Sequence, residues 1–466
     1  MLLRAQSKSS WRGNADVTLA GAVLLAALAM FVVRTSMQPQ YKPCDFAMYY
    51  TASSAWLAGE NPYDAAAAPL RWTSVGGRAD IMPEADDGTA VPWLPIITLP
   101  QTFPLLAPLA VLPARAAVTL WYALAAMLLL AQTAALADLI GSRLSQPLGM
   151  LLLAVTFVLA PVHESFGYAQ PSGPAISFAI LGVWAATRRR DLLAGVLLAL
   201  GAALKPQVGG IFVLYYLLRG RWRVVGVSAV IGIGLVLISV VPMTMRGIPW
   251  LDGWRFHMSD VERVGGYNSP LPENPMRRHM INLQMIFGGL LHSYALVNLA
   301  AIATGVVLAI FLALVVRRAH AAADRAGRSG PDELLVLSAV CVLGLLPVYH
   351  RFYDASLLVL PAAWALSNLK RRPVEAALVA ALVLSFVLPV PATARAMQLL
   401  GLDADHVSGL WWNFLLEPWR VWLLLGGALL LTWSIARPRR EAVEARQRDE
   451  APARYDTPPE ADLATT

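Results

Sequence analysis

Asp45 stands near the head of the stretch CDFAMYYTASSAWLAGENPYD (44–64), about a dozen residues beyond the first long apolar run. A carboxylate there can act as a general base, or hold a cation that bridges a phosphate. It can also simply cap a helix, because Phe46, Tyr49, Tyr50, Ser53, Trp56 and Leu57 recur at helical spacing and form one amphipathic face. Tyr49 and Tyr50 supply aromatic surface beside it, and Asp64 belongs to the turn NPYD that closes the helix. A second group lies in PVYHRFYDASLLVLP (347–361), which gathers His350, Arg351, Tyr353 and Asp354. His and Arg together suit a departing phosphate or pyrophosphate. An Arg351–Asp354 pair that merely anchors the membrane edge is the plain alternative. Lys205, in a turn with Pro206 and Gln207, offers a further cation for a phosphate, although a snorkelling lysine would read the same way.

Two looser groups combine amides, aromatics and carboxylates, the mixture that sugar hydroxyls require. One holds His163, Glu164, Tyr168 and Gln170. The other holds Asn282 and Gln284, close to Arg277, Arg278 and His279. Polar loops carry such residues for structural reasons as well. The chain has no P-loop, HExxH, GxSxG or CxxC pattern, which leaves nucleotide hydrolysis, zinc proteolysis and serine hydrolysis without support. No His, Cys and carboxylate set has metal-ligand spacing, so neither a metal nor another cofactor is expected. Cys44 and Cys341 read as ordinary unpaired thiols.

The elements that must position these residues are helices in a membrane. Of 466 residues, 57% are hydrophobic and 14% charged, whereas soluble domains carry about a quarter charged residues. Apolar runs alternate with short polar or basic segments, and most runs are about long enough to cross a hydrocarbon core as a helix. Helices are expected at 17–33, 116–137, 148–161, 173–187, 192–204, 208–218, 224–243, 294–316, 333–348, 354–369, 374–390 and 419–436. The fold class is therefore an all-α polytopic membrane protein of about twelve spans. A helix in the first outer loop is expected to lie in the interface, with Tyr and Trp at headgroup depth. The first run reads as an uncleaved signal anchor.

Charge sets the orientation. With the N-terminus inside, Arg143, Arg188–Arg190, Arg219, Arg221, Arg223, Arg317, Arg318, Lys370–Arg372, Arg437, Arg439 and Arg440 all fall in cytoplasmic segments. The net charge of +7 is thus an orientation signal rather than a nucleic-acid footprint. The opposite face receives the long and varied segments: 34–115, 163–173, the Lys205 turn, 244–293, 349–354 and the stretch around Asp403, Asp405 and His406. Segments of that size are usually functional. Residues 1–436 read as the membrane domain and 437–466 as a disordered cytoplasmic tail.

Several of these motifs resemble glycosyltransferase family 87, GT-C membrane enzymes that include polyprenol-phosphate-mannose-dependent α-mannosyltransferases. Asp45-Phe46, Tyr49-Tyr50 and LAGENPYD (57–64) resemble the family's first outer loop. PLLAPLAVLP (104–113), YAQPSGPAISF (168–178), LKPQ (204–207) and LLPVYHRFYDASLLVLP (345–361) follow in the family's order, so the resemblance runs from about residue 17 to 435. It implies a GT-C bundle in the cytoplasmic membrane with its active site on the outer face. A single sugar would pass from a polyprenyl-phosphate donor to a lipid or glycan acceptor. Asp45 would be the catalytic base and His350 the late histidine. Three departures stand out: VPWLP (91–95) replaces a Tyr-Pro-Pro segment, Pro171-Ser172 follows Gln170 in place of an amide, and only NLQ (282–284) answers an NQS-like element. A transporter or lipid flippase would instead place ionisable residues mid-span along a pathway. An oligosaccharide ligase would use a pyrophosphate-linked donor.

Overall fold

The structure, a computed structural model, describes residues 2–37, 41–82, 93–274, 276–327, 330–402, 407 and 409–437. Val91 and Pro92, the stretch around Asp403, Asp405 and His406, and residues 438–466 lie outside the described residues. The described residues form helices and turns, and their one strand-like pairing is an antiparallel bridge between Met280 and Arg351.

All twelve apolar runs fall on helix, wholly or in large part. Five helices are long and apolar enough to cross a membrane alone: Ala15–Ser36, Ala114–Leu139, Trp222–Met245, Tyr294–Arg325 and Gly409–Ala436. A sixth crossing is available if Pro147–Val158 and Ala160–Gly167, bent by 58°, act as one. Five other apolar helices, including Ser172–Thr187, Asp191–Leu204 and Pro206–Leu218, are only 10–17 residues long. At ~1.5 Å per residue they reach about 15–25 Å, short of a ~30 Å hydrocarbon core. Ser172–Thr187, Asp191–Leu204, Pro206–Leu218 and Glu333–Gly344 pack on one another in the main apolar core, and Pro373–Leu384 packs on Trp419–Ala436. The long helices turn apolar side chains outward instead: Val230, Ile233 and Ile238 on one, Leu299, Val307 and Ile310 on another. Such all-round apolarity is what a span requires.

The turns at each end of the bundle find partners among themselves. Arg188 pairs with Asp138 at the C-terminal end of Ala114–Leu139, Arg221 with Asp191, and Arg437 with Glu375. At the other end of that helix the Tyr50 hydroxyl donates to the Leu112 carbonyl at 2.5 Å, which ties down the helix Cys44–Ala58.

That helix differs from its expected form. Cys44, Phe46, Ala47, Tyr50, Thr51, Ala52, Ser53 and Ala55 are all buried, so it is enclosed rather than one-faced. The cause is its run of Ala, Ser and Thr, whose small side chains let neighbours approach on several sides. Phe46 lies 5.3 Å from the Trp121 ring in a small separate core. The helix stops at Gly59, whose φ of +73° is left-handed and whose Cβ, if it had one, would meet the Arg246 guanidinium at 2.2 Å.

Candidate active site

Lys205 owes its position to the residue after it. Pro206 starts the helix Pro206–Leu218, and its ring forces the preceding residue out of helical conformation, to φ −150° and ψ 94°. Lys205 thus separates two helices and turns its side chain inward. Its Nζ donates to Asp354 Oδ1 at 2.6 Å and to Ser172 Oγ at 2.7 Å, and it lies 4.5 Å from the centre of the Tyr353 ring. The tight break is possible because Gly209 has no Cβ, which would otherwise sit 2.2 Å from the Ala202 nitrogen.

The late motif is held by the Met280–Arg351 bridge. Ile281 N donates to His350 O at 3.1 Å, and Leu283 N to Leu346 O at 2.9 Å. The chain then enters the turn Phe352–Leu358, where Asp354 is fully buried. Its Oδ2 takes the Arg351 backbone N–H and lies 3.1 Å from His350 Nδ1. A carboxylate only accepts, so Nδ1 carries the proton and Nε2 is the free ring nitrogen. That Nε2 is buried without a partner. The Arg351 guanidinium bonds the Tyr349 hydroxyl and, at 2.9 Å, the Tyr267 carbonyl. The alternative of an Arg351–Asp354 side-chain pair does not form; Asp354 takes Lys205 instead, because that ammonium reaches the same buried site.

Asp45 completes the group. Pro43 takes the cap position of its helix, so Asp45 falls within the first turn and makes no capping bond. Its Oδ2 accepts from Gln170 Nε2 at 2.7 Å. Gln170 is aimed there by Ala169, whose φ of +52° is left-handed and whose carbonyl takes the Trp121 indole N–H at 3.0 Å. A left-handed alanine costs about 1–2 kcal/mol, which Trp121 and the Gln170–Asp45 bond help to offset. Burial pushes the Asp45 carboxyl up to about 6, against the downward pull of Arg351, Lys205 and Gln170. Burial would raise Asp354 too, but the Lys205 ammonium and His350 hold it well below the usual carboxylate range.

Asp45, Gln170, Lys205, His350, Arg351 and Tyr353 are thus brought together from four separate stretches. Tyr49 is half-buried within electrostatic reach of both Asp45 and Asp354. Gln207 lies half-buried in the turn after Lys205. The others lie apart. The Tyr50 hydroxyl is spent on Leu112. Asp64 is exposed, and its carboxylate caps a short helix through the Ala66 and Ala67 N–H groups. His163 Nε2 sits 2.5 Å from the Phe157 carbonyl. Asn282 donates to Val348 O and Gln284 Oε1 at 2.8 and 2.7 Å, and Gln284 donates to Asn298, so this pair braces the late motif from behind. Sequence reasoning missed Ser172, Tyr267 and Tyr349 as partners, and Asp354 as the residue that holds Lys205. Their contacts span large sequence separations, 149 residues for Lys205–Asp354, and no local pattern signals them.

A membrane bundle that gathers an acid, two cations and a histidine at one end defines a class: a membrane enzyme or carrier with a polar centre. The model of glycosyltransferase family 87 matches residues 100–347, more than half of the chain. The chain belongs to that family and is a membrane glycosyltransferase. No curated protein and no solved structure matches it. Gln170, Lys205 and Gln207 lie inside the matched residues, while Asp45 and His350 lie outside and join them by contact.

Proposed function

We propose that this protein moves one sugar, mannose, from a polyprenyl-phosphate donor to a lipid or glycan acceptor on the outer face of the cytoplasmic membrane. It does so within a bundle of about twelve helical segments, residues 1–436, with both termini cytoplasmic and 437–466 as a tail. The observation that carries this reading is the half-buried Asp45 carboxylate, bonded to Gln170 and within electrostatic reach of Lys205 and Arg351. The donor's chain stays in the bilayer and its sugar sits at headgroup depth, beside the helix Cys44–Ala58. Asp45 takes the proton from an acceptor hydroxyl as that oxygen attacks the anomeric carbon. The bond from that carbon to the phosphate oxygen breaks, and the phosphate leaves carrying the electron pair. Lys205, Arg351 and, when protonated, His350 Nε2 stabilise the charge that develops there. Tyr49 and Tyr353 offer ring faces to the sugar, and Gln207 a hydroxyl contact. Asp354 keeps Lys205 and His350 in place.

The carrier reading gains nothing from this arrangement, because the charges pair with one another at one end of the bundle. The test of the donor is direct. Purified protein is given a monophosphate-linked monosaccharide or a pyrophosphate-linked glycan. Consumption of the first alone is the expected result; consumption of the second alone would make the protein a ligase.

A further inference from the structure

Arg351 is held in place by a segment far away in the chain. Its Nε donates to the Tyr349 hydroxyl, and its Nη2 to the Tyr267 carbonyl at 2.9 Å. The Tyr349 hydroxyl turns its oxygen to the arginine and gives its one proton to Asn268 Oδ1 at 2.6 Å. Asn268 Oδ1 also lies 3.4 Å from Arg351 Nη2. An arginine only donates, so the Asn268 atom that faces it is the oxygen. One amide thus fixes both a phenol and a guanidinium. Arg351 Nη1 makes no bond among the described residues. Two of the three guanidinium nitrogens are tied down, and the third is left for an incoming acceptor.

The backbone around Asn268 is fastened on both sides. Asn268 is buried, and its own N–H donates to the Val261 carbonyl at 2.8 Å, in the last turn of the helix Trp250–Glu262. Gly266 permits the turn between them, because a Cβ there would lie 2.6 Å from that same carbonyl oxygen. Asn274 closes the loop from the other side, with Nδ2 donating to the Tyr267 carbonyl at 3.1 Å and the Ser269 carbonyl at 2.7 Å. The helix before the loop is anchored as well. Trp254 Nε1 donates to the Ile97 carbonyl at 3.2 Å, and His257 Nε2 lies 2.8 Å from the Tyr63 carbonyl, in the turn that follows Cys44–Ala58. A free arginine side chain loses much rotamer freedom when it binds. One whose fork is already fixed has less to lose, which is how preorganised donors gain their effect.

We propose that Asn268 is a positioning residue, which through Tyr349 sets the direction in which Arg351 presents Nη1 to the phosphate of a polyprenyl phosphate. The identity of that anion rests on the transferase reading, so the test is binding rather than turnover. The full chain is reconstituted in lipid nanodiscs and titrated with radiolabelled farnesyl phosphate, a short polyprenyl monophosphate. Wild type should bind it saturably, and Asn268→Leu should weaken binding about tenfold. Ser259→Ala, an exposed change in the same segment, should leave it unchanged. The comparison is then repeated in an Arg351→Met background, which keeps Lys205 for the phosphate. There Asn268→Leu should cost nothing further, because a residue that acts through Arg351 has no effect once Arg351 is gone. Should Asn268→Leu not fold, Tyr349→Phe removes the intervening hydroxyl and completes the same cycle. No saturable binding, binding unchanged by both variants, or an equal additional loss in the Arg351→Met background would each overturn the assignment. Any of these beside sugar transfer from a polyprenyl-phosphate donor would overturn it and leave the transferase reading standing. The predicted binding pattern without any sugar transfer would support Asn268 as a positioning residue and count against the transferase reading instead.

Discussion

Asp45 can accept a proton only when it is ionised, and burial has moved its carboxyl up to about 6. As the proposed base, Asp45 is active above that pH and lost below it. Transfer rates should be flat from about pH 7 upward and fall about tenfold per unit well below pH 6, as measured by kcat/KM across pH. Lys205 lowers the Asp45 value, so Lys205→Met should move this limb to higher pH as well as slow the reaction. An unmoved limb would mean that another group titrates. Asp354 gives a different outcome. Its side chain is fully buried and paired, and Asp354→Asn strands the Lys205 ammonium. Breaking such a pair costs roughly 3–5 kcal/mol, which thermal unfolding in nanodiscs should register alongside loss of transfer. The sequence named Asp45, Lys205 and His350, since acids and cations beside apolar runs are conspicuous. It did not yield Asp354 as the residue that joins them, because Arg351 is its near neighbour and Lys205 is distant.

At the scale of elements, two proline-marked breaks shape the site. Lys205 is extended because Pro206 follows it, a relation visible in the dipeptide itself. The other break was not visible. Pro161 has no N–H, so the Phe157 carbonyl loses its ordinary helical partner. His163 fills the gap from the side, with Nε2 2.5 Å from that oxygen, and the helix bends by 58°. A histidine beside Glu164 on an outer loop resembled a sugar ligand; its task in the structure is to satisfy a broken helix. His163→Leu should then lower stability by about 1–3 kcal/mol, read as a shift in unfolding midpoint, while kcat per folded molecule stays near wild type. A large loss of kcat with unchanged stability would return His163 to the site. The helix Cys44–Ala58 was legible as a helix but not as an enclosed one. Helical spacing reveals one face, whereas burial on several sides depends on the distant helices that pack there.

For the whole molecule, the charge pattern and the contacts agree on which segments share an end. Arg188, Arg221 and Arg437 pair near one end of the bundle, while Asp45, Gln170 and Lys205 meet near the other. The basic clusters lead us to propose that the Asp45 end faces outward. Both native cysteines are buried, so single introduced thiols can report it with little background. In intact cells, Asp252→Cys should react with an impermeant maleimide and Arg189→Cys should not; the reverse pattern would invert the topology. The long spans were legible because apolarity over some twenty residues is a strong signal. The short helices were legible as helices, but their stacking within the core was not. We propose that this membrane glycosyltransferase uses Asp45 to draw sugar from a lipid phosphate. The most direct measurement is transfer of radiolabelled mannose from polyprenyl-phosphate-mannose into a membrane lipid extract, comparing wild type with correctly inserted Asp45→Asn. Transfer by the wild type, reduced by ~100-fold or more in the variant, is the predicted result; equal transfer by both proteins would contradict it.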